Sequence, residues 1–158
     1  MRKLCVKILV LSDSHGRGGK LKNIISANAD ADAIIYLGDG EADLEKVKGF
    51  IAPETAIYRV MGNCDRESSQ KVVLIRNIGG INFYITHGFE QGVKYGTQKI
   101  AALAYNEGCR AALFGHTHRQ HLSEFNEVVL FNPGAAANGE YGLIHIDCGR
   151  AYYEHRSL

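Results

Sequence analysis

The chain is short of the features that mark electrostatic binders, disulfide scaffolds and membrane proteins. Its 158 residues carry 18 Lys and Arg against 17 Asp and Glu, a formal net charge of +1. The two signs are interspersed, so no basic patch or tail is offered to nucleic acid or to an anionic membrane. Only four cysteines occur, Cys5, Cys64, Cys109 and Cys148, and no two form a C-x-x-C pair. That excludes a disulfide framework and a zinc ribbon, and reads as reduced thiols in the cytoplasm. Met1-Arg2-Lys3 is a basic start like that of a secretory leader, but the apolar run Ile8 to Leu11 is too short and leads straight into Asp13. The stretch from Ile100 to Phe114 is interrupted by Asn106, Glu107 and Arg110, so it cannot span a bilayer. Repeats, low-complexity tracts and linkers are also absent. Residues 1–158 therefore read as one domain, large enough to bury its own core.

Nucleotide-binding loops are missing too. Gly19-Lys20 sits where a Walker A loop would need Gly at 14 and Ser or Thr at 21, but the chain has Ser14 and Leu21. Gly38-Asp39-Gly40 lacks the third glycine of a dinucleotide fingerprint.

What is present is an alternation of strands and helices. Val6 to Leu11, Ala33 to Leu37 and Ala56 to Met61 are apolar runs suited to strands buried on both faces. Between them, Lys20 to Ala29 and Ala42 to Phe50 have helical spacing, which predicts βαβ units and parallel pairing. After Asp65 hairpins take over. Lys71 to Asn77 and Ile81 to Thr86 flank Gly79-Gly80; His121 to Phe125 and Val128 to Phe131 flank Asn126-Glu127; Leu143 to Asp147 and Arg150 to Glu154 flank Cys148-Gly149. A helix is expected over Tyr95 to Asn106, stopped by Gly108, followed by a buried strand from Ala111 to Phe114. The pattern predicts an α/β (α+β) fold of two packed sheets flanked by helices.

The chemistry lies at the strand ends. Asp13-Ser14-His15, Gly38-Asp39-Gly40, Gly62-Asn63-Cys64-Asp65, Thr86-His87-Gly88 and Gly115-His116-Thr117-His118 each follow a strand-like run. One sheet edge can therefore gather Asp13, His15, Asp39, Asn63, His87, His116 and His118, too many ligands for one metal and enough for two. A two-metal centre points to phosphoester hydrolysis. Asp13 and His15, two residues apart, are expected to point the same way as in an extended strand. Asp39 has two oxygens that can bridge neighbouring ions. The glycines beside these residues allow close backbone approach and positive φ. Mixed imidazole and carboxylate ligands suit Mn, Fe, Zn, Ni or Co. Other polar residues get blander readings. Glu41 and Asp43 read as a solvated helix start, His145 as a packed or surface strand residue and His155 as exposed tail. His121 reads as structural, at the border of the pocket, and Arg17, Arg66 and Arg119 as solvated loop residues. Phe89, Tyr95 and Tyr141 lie on loops where they could stack on a base or an aryl group.

With these five segments the chain resembles the calcineurin-like metallophosphoesterases, in particular their small single-domain phosphodiesterases, from Lys7 to about Asp147. The resemblance implies a four-layer αββα sandwich of two mixed β-sheets with helices on both outer faces. It implies two divalent metal ions, manganese first among the candidates. Asp13, His15, Asp39 and His118 would surround one; Asp39, Asn63, His87 and His116 would surround the other. Asn63, Cys64, Asp65 and His87 would be the catalytic group, and Asn132-Pro133-Gly134 matches a late turn near the site. The expected activity is hydrolysis of a small-molecule phosphodiester by a metal-activated hydroxide, without nucleic-acid or membrane partners and with a homodimer as an option. The alternative is a non-catalytic scaffold, as in the retromer subunit built on this fold. One position departs from the commoner family form, which has His where this chain has Cys64. A thiol hydrogen-bonds poorly to an alkoxide. The expectation is a substrate with a good leaving group, or an acid supplied by water or another residue.

Overall fold

The computed structural model describes residues 5–158; Met1-Arg2-Lys3, the basic start weighed above, lies outside the described residues. The first half is a succession of parallel units: β1 (Cys5–Leu11), α1 (Gly18–Ala27), β2 (Ala33–Tyr36), α2 (Glu41–Val47) and β3 (Ala56–Arg59). β1 pairs with β2 from Ile8↔Ala33 to Leu11↔Tyr36, and β2 with β3 from Ala33↔Ala56 to Tyr36↔Arg59. The chain then builds β4 (Val73–Ile78), β5 (Ile81–Thr86), α3 (Gln98–Asn106), β6 (Ala111–Leu113), β7 (Gln120–Phe125) and β8 (Val128–Pro133). It returns to the first sheet as β9 (Glu140–Asp147) and β10 (Arg150–Ser157). The strand orders are β10-β9-β1-β2-β3 and β4-β5-β6-β8-β7. Each sheet mixes parallel and antiparallel pairs.

Side-chain alternation along β1 explains the layering. Ile8 and Val10 point between the sheets and join Ile35, Leu37, Phe83, Ile85, Leu113 and Phe131. Leu9 and Leu11 point the other way, onto Leu21, Ile24 and Ile25 of α1 and Leu44 of α2. On the far face of the second sheet, Tyr84, Ala112 and Leu130 pack against Ile100, Ala101 and Ala104 of α3. Two mixed sheets with helices on both outer faces are thus what the apolar pattern builds. Among the described residues no helix is long and apolar enough to cross a membrane.

All three expected hairpins have two-residue loops with positive φ at both positions: Gly79 and Gly80 at 60° and 91°, Asn126 and Glu127 at 48° and 67°, Cys148 and Gly149 at 49° and 80°. This twist matches that of the flanking strands. Several boundaries differ from expectation, three of them by an element's start, a break or a longer strand. α1 begins at Gly18, two residues early, and ends at Ala27. The helix expected from Tyr95 is split, because Gly96 at φ 139° separates a 3₁₀ turn over Val93–Tyr95 from α3. The last hairpin is longer than expected and runs to Ser157, which puts His155 in a strand.

Candidate metal centre

The site forms where the carboxyl ends of the parallel strands meet, the usual place for ligands on open α/β sheets. The pairing of β1 with β2 continues past the strands: Leu37 N–H donates to Leu11 O at 2.8 Å, Asp13 N–H to Gly38 O at 2.9 Å and His15 N–H to Asp39 O at 3.2 Å. Gly115 N–H donates to His87 O at 2.9 Å, which joins the loops after β5 and β6. Six of the expected donors therefore converge. Asp13, His15 and His118 have ligand atoms within 4.8 Å of one another, and so do Asp39, His87 and His116. Asp39 Oδ2 lies 3.2 Å from His87 Nε2 and 3.6 Å from His15 Nε2, between the two groups. The seventh, Asn63, has an exposed side chain on the rim of a cavity of about 200 Å³ that His87 and Phe89 also line.

Hydrogen bonds from neighbouring groups aim the donors. Asp13 is fully buried; its Oδ2 accepts hydrogen bonds from Ser12 Oγ at 2.5 Å and His116 N–H at 3.0 Å. Its Oδ1 is the one buried side-chain oxygen or nitrogen with no hydrogen-bond partner among the described residues, 3.3 Å from His15 Nε2 and 3.2 Å from His118 Nε2. An orphaned buried carboxylate oxygen is costly and calls for a counter-charge. Two pairs of imidazole nitrogens also face each other, His15 with His118 at 3.1 Å and His87 with His116 at 3.2 Å. Lone pairs that close need a proton or a cation between them. The donor set thus fits divalent cations. His87 Nδ1 lies 2.7 Å from Leu37 O, and a proton donated there leaves Nε2 to face the site.

Charges follow the same arrangement. Burial works against the carboxylate form of Asp39, but the hydrogen bond and charge of His87 and the Cys64 N–H outweigh it and bring its pKa to about 2. Burial also opposes the charged form of His87, yet Asp39 and Asp13 raise its pKa above the ordinary value. His116 goes the other way, lowered by burial, by His87 and by Lys94. The exposed Cys64 thiol is pushed up, first by desolvation and then by the Asp39 charge.

Several readings change here. Asp13 and His15 are not extended; both have left-handed backbones, at φ 57° and 43°, and converge through a turn. Asp65, expected among the catalytic groups, has both oxygens engaged by four backbone N–H groups, from Asp39, Gly40, Glu41 and Gly62. Its place is that of a positioning residue. Asp43 is buried, not solvated, and accepts from Ser14 Oγ at 2.5 Å and Gly16 N–H at 2.8 Å. Ser14 also meets the Tyr36 hydroxyl at 2.7 Å. No local pattern could have shown this, because Asp43 looks like any acid in a first helical turn. Asn132 is fully buried and donates to Gly115 O and Thr117 Oγ1, both at 3.0 Å, so it pins the His116–His118 loop. His155 is not tail: it stacks on Phe131 and its Nε2 lies 2.8 Å from Asn132 O. Tyr141 belongs to the core over α1, whereas Phe89 is exposed and meets His116 edge-on at 5.3 Å. His145 stays at the surface beside Glu154, and Arg17, Arg66 and Arg119 are exposed.

Two glycines are required by close approach. A Cβ on Gly62 would lie 2.1 Å from Asp39 Oδ1, and one on Gly115 would lie 2.0 Å from Ser12 Oγ and 2.7 Å from Asp13 Oδ2.

Known proteins match both the chain and its fold. The profile of the calcineurin-like phosphoesterase superfamily domain matches residues 6–147. A Mycoplasma genitalium protein named "Probable metallophosphoesterase MG207" is 30% identical over 136 residues, covering 82% of this chain and 77% of its own. The Methanocaldococcus jannaschii protein named "Phosphodiesterase MJ0936" is 26% identical over 145 residues, 82% of this chain and 83% of its own. A Streptococcus pneumoniae structure described as a predicted phosphoesterase superposes with TM-score 0.80 at 22% identity, covering 99% of this chain and 91% of its own. Vacuolar Protein Sorting 29 from Cryptosporidium parvum superposes with TM-score 0.74 at 15% identity, covering 99% of each chain.

Proposed function

Since the chain belongs to the calcineurin-like phosphoesterase superfamily, we propose that it is a phosphodiesterase that hydrolyses P–O ester bonds of small molecules with two divalent cations. The observation that carries this reading is the pair of donor clusters meeting at Asp39, with the buried Asp13 Oδ1 unpartnered between two histidines. Asp13, His15, His118 and Asp39 would hold one cation, and Asp39, Asn63, His87 and His116 the other. Manganese is the first cation to test. Bound cations of this kind supply a hydroxide near neutral pH and Lewis acidity toward the phosphoryl oxygens.

The chain's own residues fix the geometry of the reaction. Ser12 and the His116 N–H lock Asp13 so that one oxygen is committed and the other is free to ligate. Leu37 O sets the tautomer of His87. Cys64, with its pKa raised, keeps its proton at neutral pH and offers S–H, a weak donor, to the leaving oxygen. No lysine or arginine is hydrogen-bonded or ion-paired to a donor group among the described residues, which favours a diester monoanion over a monoester dianion. Cys64, Cys109 and Cys148 are free thiols, as a cytoplasmic enzyme would have them.

The test is hydrolysis of bis(4-nitrophenyl) phosphate and 4-nitrophenyl phosphate by metal-stripped protein, with Mn, Ni, Zn or Mg restored, beside Asp39→Asn. The expected result is metal-dependent cleavage that favours the diester and is lost in the variant. A scaffold, the second reading, is favoured only by the likeness of fold to Vacuolar Protein Sorting 29. Two ions bound with no turnover of either ester would turn the reading toward it.

A further inference from the structure

A cavity of about 460 Å³ lies beside the donor clusters, with a charge that the proposed reaction leaves unused. Thr117, the residue between His116 and His118, and Phe114 line it, and Lys94, Arg119 and His121 are among the other lining residues. No Asp or Glu lines this cavity. The side chains of Lys94 and Arg119 are exposed and make no ion pair or hydrogen bond among the described residues. Two cations facing one cavity without a counter-charge focus a positive potential there. The cavity beside Cys64 leans to the other sign: among the described residues its charged lining is Glu41, Glu45, Asp65, Glu67 and Arg66, and of the acids only Glu45 is ion-paired, with Lys48 and Arg59.

We propose that the Lys94–Arg119 cavity takes a second phosphate group of the substrate, carried on the part that stays with the phosphorus, while the leaving group departs on the Cys64 side. This rests on the donor clusters being the place where the P–O bond is cleaved. The substrate class narrows to phosphodiesters that carry a further phosphomonoester on one arm. The acidic flank repels that group, so the charge asymmetry also sets the direction in which a substrate lies. The volume exceeds what a lone phosphate needs and leaves room for a sugar-sized spacer.

The test is calorimetric binding with Mn²⁺ held constant. Thymidine 5′-monophosphate is compared with thymidine 3′,5′-bisphosphate, and their two-nucleotide homologues, joined by an uncleavable methylphosphonate linkage, are compared with and without the 3′-phosphate. At one of the two spacings the extra phosphate should tighten binding by about tenfold or more, as two charge-assisted contacts allow. In the Lys94→Gln/Arg119→Gln double variant that ratio should fall to about twofold or less, while Arg76→Gln, a remote exposed cation on β4, keeps it. A ratio near one at both spacings, or an unchanged ratio in the double variant, overturns the proposal. The Mn²⁺ dependence of monophosphate binding reports the donor clusters separately. Failure of the metal reading appears as binding indifferent to Mn²⁺, whereas failure of the cavity reading appears as Mn²⁺-dependent binding with no discrimination.

Discussion

Replacing Asp65 by alanine or asparagine should cost stability before it costs chemistry. Its Oδ2 accepts N–H bonds from Asp39 and Gly62, both at 2.8 Å, and its Oδ1 accepts from Gly40 at 3.0 Å and Glu41 at 3.1 Å. One carboxylate thus ties the loop after β2, the start of α2 and the loop after β3. Each N–H left unmet costs about 1–3 kcal/mol where water cannot replace the acceptor. Asp65 is half-buried, so water recovers part of this, and Asp65→Ala should lose about 3 kcal/mol. For a chain of this size that is a Tm drop of about 6–12 °C. Asparagine keeps one acceptor oxygen but turns an NH₂ toward two donors, so it should fall nearly as far. Metal affinity should drop in both variants, because the Asp39 N–H is among the anchored groups. A general acid would behave otherwise. Asp65→Asn would then keep its Tm within about 2 °C and lose one limb of the pH–rate profile. Calorimetry, metal titration and a pH–rate series on both variants decide it. A wild-type Tm combined with a lost limb would refute the positioning role.

On the two-cation reading, metal removal should lower Tm by about 11–22 °C, since each cation at a hundred times its Kd contributes about 2.7 kcal/mol. Asp13→Asn, which removes a donor to one of the two, should abolish about half of that difference in the same thermal scan. Gly115→Ala forces a Cβ to within 2.0 Å of Ser12 Oγ and should destabilise by about 1–3 kcal/mol in urea unfolding, with weaker metal binding. The depressed pKa of Asp39, about 2 against an unfolded value near 3.9, gives an acid-side prediction for the metal-free protein. Stability from this group is present above about pH 4 and is lost as pH falls toward 2. His87→Asn removes the partner that lowers it, so an acid titration of the unfolding free energy should be shallower in that variant. An unchanged slope would count against the pairing.

What could be read from the chain was local. Unbroken runs such as Ile8 to Leu11, and turn dipeptides such as Gly79-Gly80 and Cys148-Gly149, carry their conformational reason within a few residues, and the sheets and hairpins followed from them. The donor residues were legible because each ended a strand. The residues that hold the donors were not. Ser14 meets Asp43 across 29 positions and Asn132 reaches Gly115 across 17, contacts that only the packing of α2 on β1 and of β8 on β6 brings about. His155 was misplaced for a related reason. The alternation in β10 looked spent after Glu154, yet pairing with β9 extends to Ser157↔Glu140. Partner strands rather than intrinsic propensity decide where an edge strand ends.

The left-handed backbones at the site explain why those supports exist. Asp13, His15, Asp39, His116 and His118 have φ of 57°, 43°, 60°, 69° and 60°. For L-residues this conformation costs about 1–2 kcal/mol each, somewhat less for Asp and His, which enter it more readily than most. A left-handed residue turns the chain within one step. That is how side chains from separate strand ends point at one another rather than alternate across a sheet. Such strain persists only where surrounding contacts over-determine it. Here each strained loop has its own anchor: Asp43 under Ser14 and Gly16, Asp65 under Asp39, and Asn132 under Gly115 and Thr117. The anchors bond backbone or hydroxyl groups and leave the facing imidazole nitrogens and Asp13 Oδ1 unengaged by them. The site is therefore built in two tiers: candidate donors whose own backbone is unfavourable, and polar residues that hold them there. On the two-cation reading, loss of an anchor should weaken both sites together, since Asp39 lies between the two clusters.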